Sequence, residues 1–290
     1  MDRNSEAVSK ITVPLILERK LQGHKITCLT AYDYPTARLV DEAGIDMILV
    51  GDTLAEVVLG YDSTIPVTVD EMLHHLRAVR RATRRALLIG DLPFGAYQLS
   101  EEEALRAAVR YFKEGGAEAV KLEGGKKRAA LIRRLVNAEI PVMGHIGLTP
   151  QSLHALGGYR VQGKTIDSAN ELLADAEAIE DAGAFALVLE SVPRELAALI
   201  TERCRIPTVG IGAGPNCDGQ VLVMHDLIGL NRGSLAKFVR PYADMAGTLA
   251  DAFARFRDDV TAGRYPADQE SYHWPPQLRE EFEKELARRM

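Results

Sequence analysis

A short joint recurs three times along this chain and constrains its fold more than any other feature. It reads Glu42-Ala-Gly-Ile-Asp-Met-Ile-Leu-Val50, Glu114-Gly-Gly-Ala-Glu-Ala-Val-Lys-Leu122 and Asp181-Ala-Gly-Ala-Phe-Ala-Leu-Val-Leu189. Each is an acid, a small residue, a glycine able to end a helix in a left-handed cap, and then an apolar run. A second pair, Ile140-Pro-Val-Met-Gly-His-Ile-Gly147 and Ile206-Pro-Thr-Val-Gly-Ile-Gly-Ala213, repeats a strand entry. The runs are continuous rather than alternating, as parallel strands covered on both faces are. Strands are expected at Ile26–Tyr32, Met47–Asp52, Ala86–Leu92, Ala119–Glu123, Val142–Ile146, Ala186–Glu190, Thr208–Gly212 and Lys237–Val239.

Helix starts separate the strands. Thr68-Val-Asp-Glu71, Ser100-Glu-Glu-Glu103 and Ser168-Ala-Asn-Glu171 fit the capping box, in which a hydroxyl and a glutamate reciprocally satisfy two orphan backbone donors. Gly44, Gly115–Gly116 and Gly183 stand where helices should stop. Strand-then-helix order throughout favours a (β/α)8 TIM barrel, an α/β fold, over an open doubly wound sheet. The GxGxxG turn of a dinucleotide-binding sheet is absent after the first strand, which runs into Thr30-Ala-Tyr-Asp33. At 290 residues one barrel accounts for the chain as a single domain, with an N-terminal segment 1–24 and a helical tail from about 262 to 290. That tail either covers its own barrel or packs on a neighbouring subunit.

Composition excludes several classes. With 35 Lys+Arg against 41 Asp+Glu the net charge is −6, and no basic stripe suits nucleic acid. Apolar runs such as Met47–Val50 are far below the roughly 18 residues of a membrane span. Residues 1–10 lack a signal-peptide core, and Cys28, Cys204 and Cys217 are odd in number and widely spaced. Together these predict a cytoplasmic protein with reduced thiols.

The polar residues fall where a barrel places chemistry. Asp52, Asp91, Lys121, Glu123 and Glu190 stand at strand ends, His145 lies on a strand, and Tyr32–Asp33 follow the first strand. In a barrel the C-terminal strand ends converge on one mouth. Two aspartates on adjacent strands, with Glu123 one strand further, suit Mg²⁺, which takes a few carboxylates and keeps other positions for water and substrate oxygens. Lys121 and Glu123 share a face, and a lysine there would neutralise a substrate carboxylate or a developing enolate oxygen. Gly210-Ile-Gly-Ala-Gly214 is either an anion-binding turn or a tight barrel corner. His74, His75 and His225 sit in helical patterns and read as surface or packing residues.

From near Lys25 to about Met245 the chain resembles the ketopantoate hydroxymethyltransferase family. The resemblance rests on Leu29-Thr-Ala-Tyr-Asp33, Val50-Gly-Asp-Thr53, Gly60-Tyr-Asp-Ser-Thr-Ile-Pro-Val-Thr68, Asp91-Leu-Pro-Phe94 and Val120-Lys-Leu-Glu-Gly-Gly125. It continues through Gly144-His-Ile-Gly-Leu-Thr-Pro-Gln151, Gly157-Gly-Tyr-Arg-Val-Gln-Gly163, Leu187-Val-Leu-Glu190, Gly210-Ile-Gly-Ala-Gly214 and Cys217-Asp-Gly-Gln-Val-Leu-Val-Met-His-Asp226. It implies a Mg²⁺-dependent barrel of the phosphoenolpyruvate/pyruvate type, assembled as a homo-oligomer, often a decamer. The implied reaction moves the one-carbon unit of 5,10-methylenetetrahydrofolate to 3-methyl-2-oxobutanoate and yields 2-dehydropantoate for pantothenate biosynthesis. By motif, Asp52 and Asp91 would ligate the metal, with Glu123 in or near its water shell. Asp52, Thr53, Asp91, Lys121 and His145 would meet the keto acid, and Glu190 would be the base that removes the C3 proton. Thr53 stands where the family more often has Ser. Two other readings compete: a Mg²⁺-dependent 2-keto acid lyase or mutase on the same barrel, and a non-catalytic assembly protein.

Overall fold

The computed structural model describes residues 9–289. Eight parallel strands close a barrel in sequence order: β1 Ile26–Thr30, β2 Met47–Val50, β3 Leu87–Asp91, β4 Ala119–Lys121, β5 Val142–Gly147, β6 Ala186–Glu190, β7 Thr208–Ile211 and β8 Gly219–Leu222. α1 (Val13–Leu21) precedes the first strand; α2 (Tyr34–Glu42) links β1 to β2, and α3 (Leu54–Val57) and α4 (Val69–Ala82) link β2 to β3. α5 (Glu101–Arg110), α6 (Ala129–Asn137), α7 (Leu153–Leu156), α8 (Ile166–Asp181) and α9 (Arg194–Arg203) follow between β3 and β7, and α10 (Met224–Leu227) follows β8. A first compact unit ends at Tyr242. The second, from Ala243, carries α11 (Met245–Thr261) and α12 (Pro276–Arg289), with Trp274 edge-on to Phe282 at 5.1 Å between ring centroids.

Local signals act largely as the sequence requires. Thr68 and Glu71 form the reciprocal capping box of α4, and Ser100 accepts from the Glu103 N–H at the start of α5. Gly44, Gly116 and Gly183 take left-handed φ of 80°, 70° and 93° at helix ends. One start is displaced: α8 begins at Ile166, capped by Thr165 with Ser168 as its reciprocal partner, so Ser168 is inside the helix. Thr165 also offers a hydroxyl with a hydrogen-bonding side chain three residues on, and it lies outside the first turn.

The eighth strand is the main correction. Lys237–Val239 forms no strand; Gly219–Leu222 does, pairing Ile26 with Gly219 and Cys28 with Val221 to shut the barrel against β1. Its apolar content is too brief to stand out, and Gln220 faces outward, exposed. No helix links β7 to β8, because Gly212-Ala-Gly-Pro-Asn216 combines two left-handed glycines with a proline. Strict β-then-α order therefore fails at this one crossing. Gly219 is required for closure: a Cβ there would sit 2.5 Å from the Ile26 carbonyl oxygen, which is backbone and cannot turn aside. Gly219→Ala is expected to lower stability by about 1–3 kcal/mol, as overpacking does, measured by urea unfolding. Unchanged stability would mean the β8–β1 seam is loose.

Side-chain alternation builds the interior. Met47 and Leu49, Leu87 and Ile89, Ala119, Met143, Ala186 and Val188, Val209 and Val221 point inward and form one buried cluster, with Ile11 and Ile16 of the N-terminal segment packed into it. The alternate residues, among them Ile48, Val50, Leu88, Val120 and Leu187, pack outward against the helices. Two residues further along the inward face come Asp91 after Ile89, Lys121 after Ala119, His145 after Met143 and Glu190 after Val188. The period of two that fills the barrel with apolar layers thus tops it with a polar one.

Candidate active site

This polar layer is a network. The Lys121 ammonium donates to both Asp91 oxygens, at 2.9 and 2.7 Å. Asp52 stands just past β2; its N–H donates to Asp91 Oδ2 at 3.3 Å, and its Oδ2 accepts from Gln151 Nε2 at 2.9 Å. Gln151 also donates its backbone N–H to Glu123 Oε2 at 3.1 Å and accepts from the Tyr97 hydroxyl at 2.6 Å. Glu123 Oε1 lies 3.7 Å from Lys121 Nζ and 3.4 Å from His145 Nδ1, and His145 Nε2 lies 3.3 Å from Glu190 Oε2. Neither imidazole nitrogen is aligned for a hydrogen bond to these oxygens, so the ring is held between two carboxylates by charge and packing.

All the site candidates meet here. Asp52, Asp91, Lys121, Glu123, His145 and Glu190, with Thr53, line one inner cavity of about 50 Å³. Thr53 Oγ1 shares a hydrogen bond of 2.7 Å with the Tyr32 hydroxyl. Thr53, Pro150 and Glu190 also line a larger outer cavity of about 560 Å³, so they stand at the boundary between the two. Asp33 is not part of the site: it caps α2 by accepting from the Thr36 N–H at 2.9 Å. His75 contacts the Tyr32 carbonyl oxygen through Nδ1 at 2.7 Å, and the His225 ring lies against that of Tyr32. At the Gly210–Gly214 stretch, Gly212 takes a φ of +65° against the Phe238 ring.

Charge in the layer is unbalanced. Burial first, and then the neighbouring Asp91 and Glu123, push the Asp52 carboxyl well above its usual range. Asp91 is also raised, because burial outweighs the attraction of Lys121. For Glu123, burial acts upward but is overcome by His145 and Lys121, which hold it low. His145 is pulled down by burial and by Lys121, yet the two flanking carboxylates bring it up to about 9. Lys121 is raised despite burial, through Asp91, Glu123 and Asp52. Two cationic groups, Lys121 and His145, therefore stand among four acids, Asp52, Asp91, Glu123 and Glu190, and a further cation would ease ionisation of the raised pair, Asp52 and Asp91.

Gln151 and Tyr97 were not legible as site residues. Gln151 lies in the Thr-Pro-Gln segment after β5, and Tyr97 sits in a loop without a distinctive pattern. The signal available for Gln151 was its place at the end of the Gly144–Gln151 motif, four residues past β5.

A model of the ketopantoate hydroxymethyltransferase family matches residues 10–268. The chain is 60% identical over 275 residues to the 3-methyl-2-oxobutanoate hydroxymethyltransferase of Koribacter versatilis, covering 95% of this chain and 93% of that one. It is 53% identical over 273 residues to that of Carboxydothermus hydrogenoformans, covering 94% and 99%. Among solved structures, phosphonopyruvate hydrolase in complex with oxalate and Mg²⁺ superposes with a TM-score of 0.59 at 16% identity, covering 95% of this chain and 97% of that one. 2,3-Dimethylmalate lyase, of the PEP mutase/isocitrate lyase superfamily, superposes with a TM-score of 0.57 at 18% identity, covering 96% and 98%. These distant likenesses show the fold, a closed (β/α)8 barrel. With its closed parallel barrel, its acid-rich inner cavity and relatives of this identity, the chain belongs to the ketopantoate hydroxymethyltransferase family of enzymes.

Proposed function

We propose that this enzyme transfers the one-carbon unit of 5,10-methylenetetrahydrofolate, as a hydroxymethyl group, to C3 of 3-methyl-2-oxobutanoate, giving 2-dehydropantoate with the aid of Mg²⁺. The observation that carries the reading is the polar layer itself, three buried carboxylates around one lysine, with a fourth, Glu190, at the boundary with a cavity large enough for a second substrate. The family membership and the negative net charge are consistent with a cytoplasmic homo-oligomer that binds small molecules rather than nucleic acid.

The residues fit a hard divalent cation. Among the described residues no three His, Cys, Asp or Glu side chains converge into a ready metal cage. Mg²⁺ needs none, since it is held by one or two carboxylates and keeps its remaining positions for water and substrate oxygens. Asp52 and Asp91 would be those carboxylates; burial, with Asp91 and Glu123 nearby, pushes the Asp52 carboxyl up, and a cation would favour its ionised form. Glu123, turned to Lys121 and His145, is suited to the water shell. Bound there, Mg²⁺ supplies a Lewis acid for the keto oxygen.

The protein's own groups do the rest. Lys121 neutralises charge on the keto acid and on its oxygen as the C3 proton leaves. Glu190 accepts that proton, and His145 beside it keeps the carboxylate in place. The C3 electron pair forms the new C–C bond to the methylene carbon as that carbon's bond to one folate nitrogen breaks. The oxygen of one water then replaces the second folate nitrogen, and the C3 proton and one proton of the water end on the two nitrogens of the departing tetrahydrofolate. Burial of Asp91, Lys121, Glu123 and His145 keeps bulk water from quenching the carbanionic carbon.

The reading is tested by incubating the protein with 3-methyl-2-oxobutanoate and 5,10-methylenetetrahydrofolate, with and without Mg²⁺, in D₂O. Proton NMR is expected to show Mg²⁺-dependent 2-dehydropantoate. C3 exchange without product would retain the proton-abstraction half and reject the donor. No exchange by the folded protein would overturn the reading in favour of another keto acid or a non-catalytic role.

A further inference from the structure

Resting on that reading, we propose that Asp226, oriented by Asn231, selects the one-carbon donor by accepting the N3–H and 2-amino hydrogens of its pteridine ring in the outer cavity. The cavity is lined by apolar groups such as Val57, Leu148 and Leu222 and by the rings of Tyr159 and Phe238, with polar and charged side chains interspersed. Its apolar and aromatic surface suits a flat heterocycle, and the polar groups then determine the orientation. A 2-amino-4-oxopyrimidine edge presents adjacent N–H donors, which a carboxylate meets with two oxygens, as it does a guanidinium.

Two acids line the cavity besides Glu190, and they differ in their surroundings. Glu56 already accepts from the Tyr159 hydroxyl at 3.2 Å. Asp226 sits in α10, directly after β8, and that helix is pinned to the barrel by the Met224 N–H donating to Thr30 Oγ1 at 2.9 Å. Asn231 Nδ2 donates to Asp226 Oδ1 at 2.5 Å, which fixes the carboxylate plane. A carboxylate has about four lone-pair sites, so accepting from Asn231 leaves capacity for two ring hydrogens. Glu190 lines the same cavity, so a ring anchored on Asp226 lies alongside the base that activates C3. Arg160 and Lys237, exposed at the cavity wall, supply the positive charge that the carboxylates of the donor's glutamate tail require.

The test compares two probes in the presence of Mg²⁺: tetrahydrofolate, and its 2-desamino-2-methyl analogue, which cannot donate from position 2. Binding is measured by calorimetry to the wild-type protein and to Asp226→Asn, which keeps the shape of the side chain. Loss of a hydrogen bond to a charged acceptor is expected to weaken tetrahydrofolate by about tenfold to a hundredfold in the variant. The analogue, which keeps only the N3–H donor, should bind the wild-type protein more weakly than tetrahydrofolate does and lose less affinity in the variant. Unchanged tetrahydrofolate affinity in Asp226→Asn would overturn the proposal while leaving the transferase reading intact. Equal weakening of both probes would also overturn it, because Asp226 would then act only through the local fold. A wild-type protein that binds neither probe and forms no product would remove the underlying reading as well.

Discussion

Glu190→Gln is expected to slow C3 proton exchange of 3-methyl-2-oxobutanoate by about 10²–10⁴-fold, the usual contribution of a general base. The carboxamide keeps the size of the side chain but cannot take the proton. The position is rigidly built, so the loss should be chemical rather than conformational. Glu190 ends β6 in register with Gly147, and its carbonyl oxygen accepts from the Leu148 N–H at 2.9 Å. Gly147 takes a φ of +93°, and a Cβ there would lie 2.2 Å from the same oxygen. Ser191, next in sequence, holds a left-handed φ of 49°, uncommon outside glycine. Exchange followed by NMR in D₂O gives the rate, and the rise in Tm caused by Mg²⁺ reports whether the metal site survives. Normal exchange in the variant would remove Glu190 from the role of base; loss of the Mg²⁺ effect would reassign it to the metal.

Lys121→Met is expected to be the most destabilising substitution in the site. The side chain is 5% exposed, and its ammonium is bonded to both oxygens of Asp91, itself 2% exposed. Methionine fills most of the volume and leaves Asp91 without its bonded cation, while Glu123 keeps only His145. Breaking a buried pair by removing one partner costs about 3–5 kcal/mol, because the remaining charge stays buried. Urea unfolding of the metal-free protein should show this loss, and added Mg²⁺ should return part of it, since a divalent cation supplies charge to the same carboxylates. A variant as stable as the parent would mean that the layer balances its charge without Lys121. Catalysis should fall together with stability, whereas Glu190→Gln is expected to separate the two.

These two effects differ because Lys121 lies within the layer and Glu190 at its edge, a distinction that the sequence could not draw. The residue types at the strand ends were legible: alternation with a period of two put Asp91, Lys121, His145 and Glu190 on the face that carries Ile89, Ala119, Met143 and Val188. What stood opposite each of them was not legible. Gln151 reaches Asp52 across 99 positions, and His145 lies between Glu123 and Glu190, which belong to different strands.

The sequence by itself determined the barrel class and most of its punctuation. Capping hydroxyls, helix-ending glycines and continuous apolar runs are signals spanning a few residues, and each acts through backbone groups within the same turn or strand. Only the tertiary structure decided the closing strand. Gly219–Leu222 has little local preference, and it is a strand because β1 and β7 offer unpaired backbone on both sides. It likewise decided that one buried lysine stands between Asp91 at the end of β3 and Glu123 just past β4. Hydrogen bonds and charges between distant segments carry no period along the chain, so they become visible only when the barrel closes.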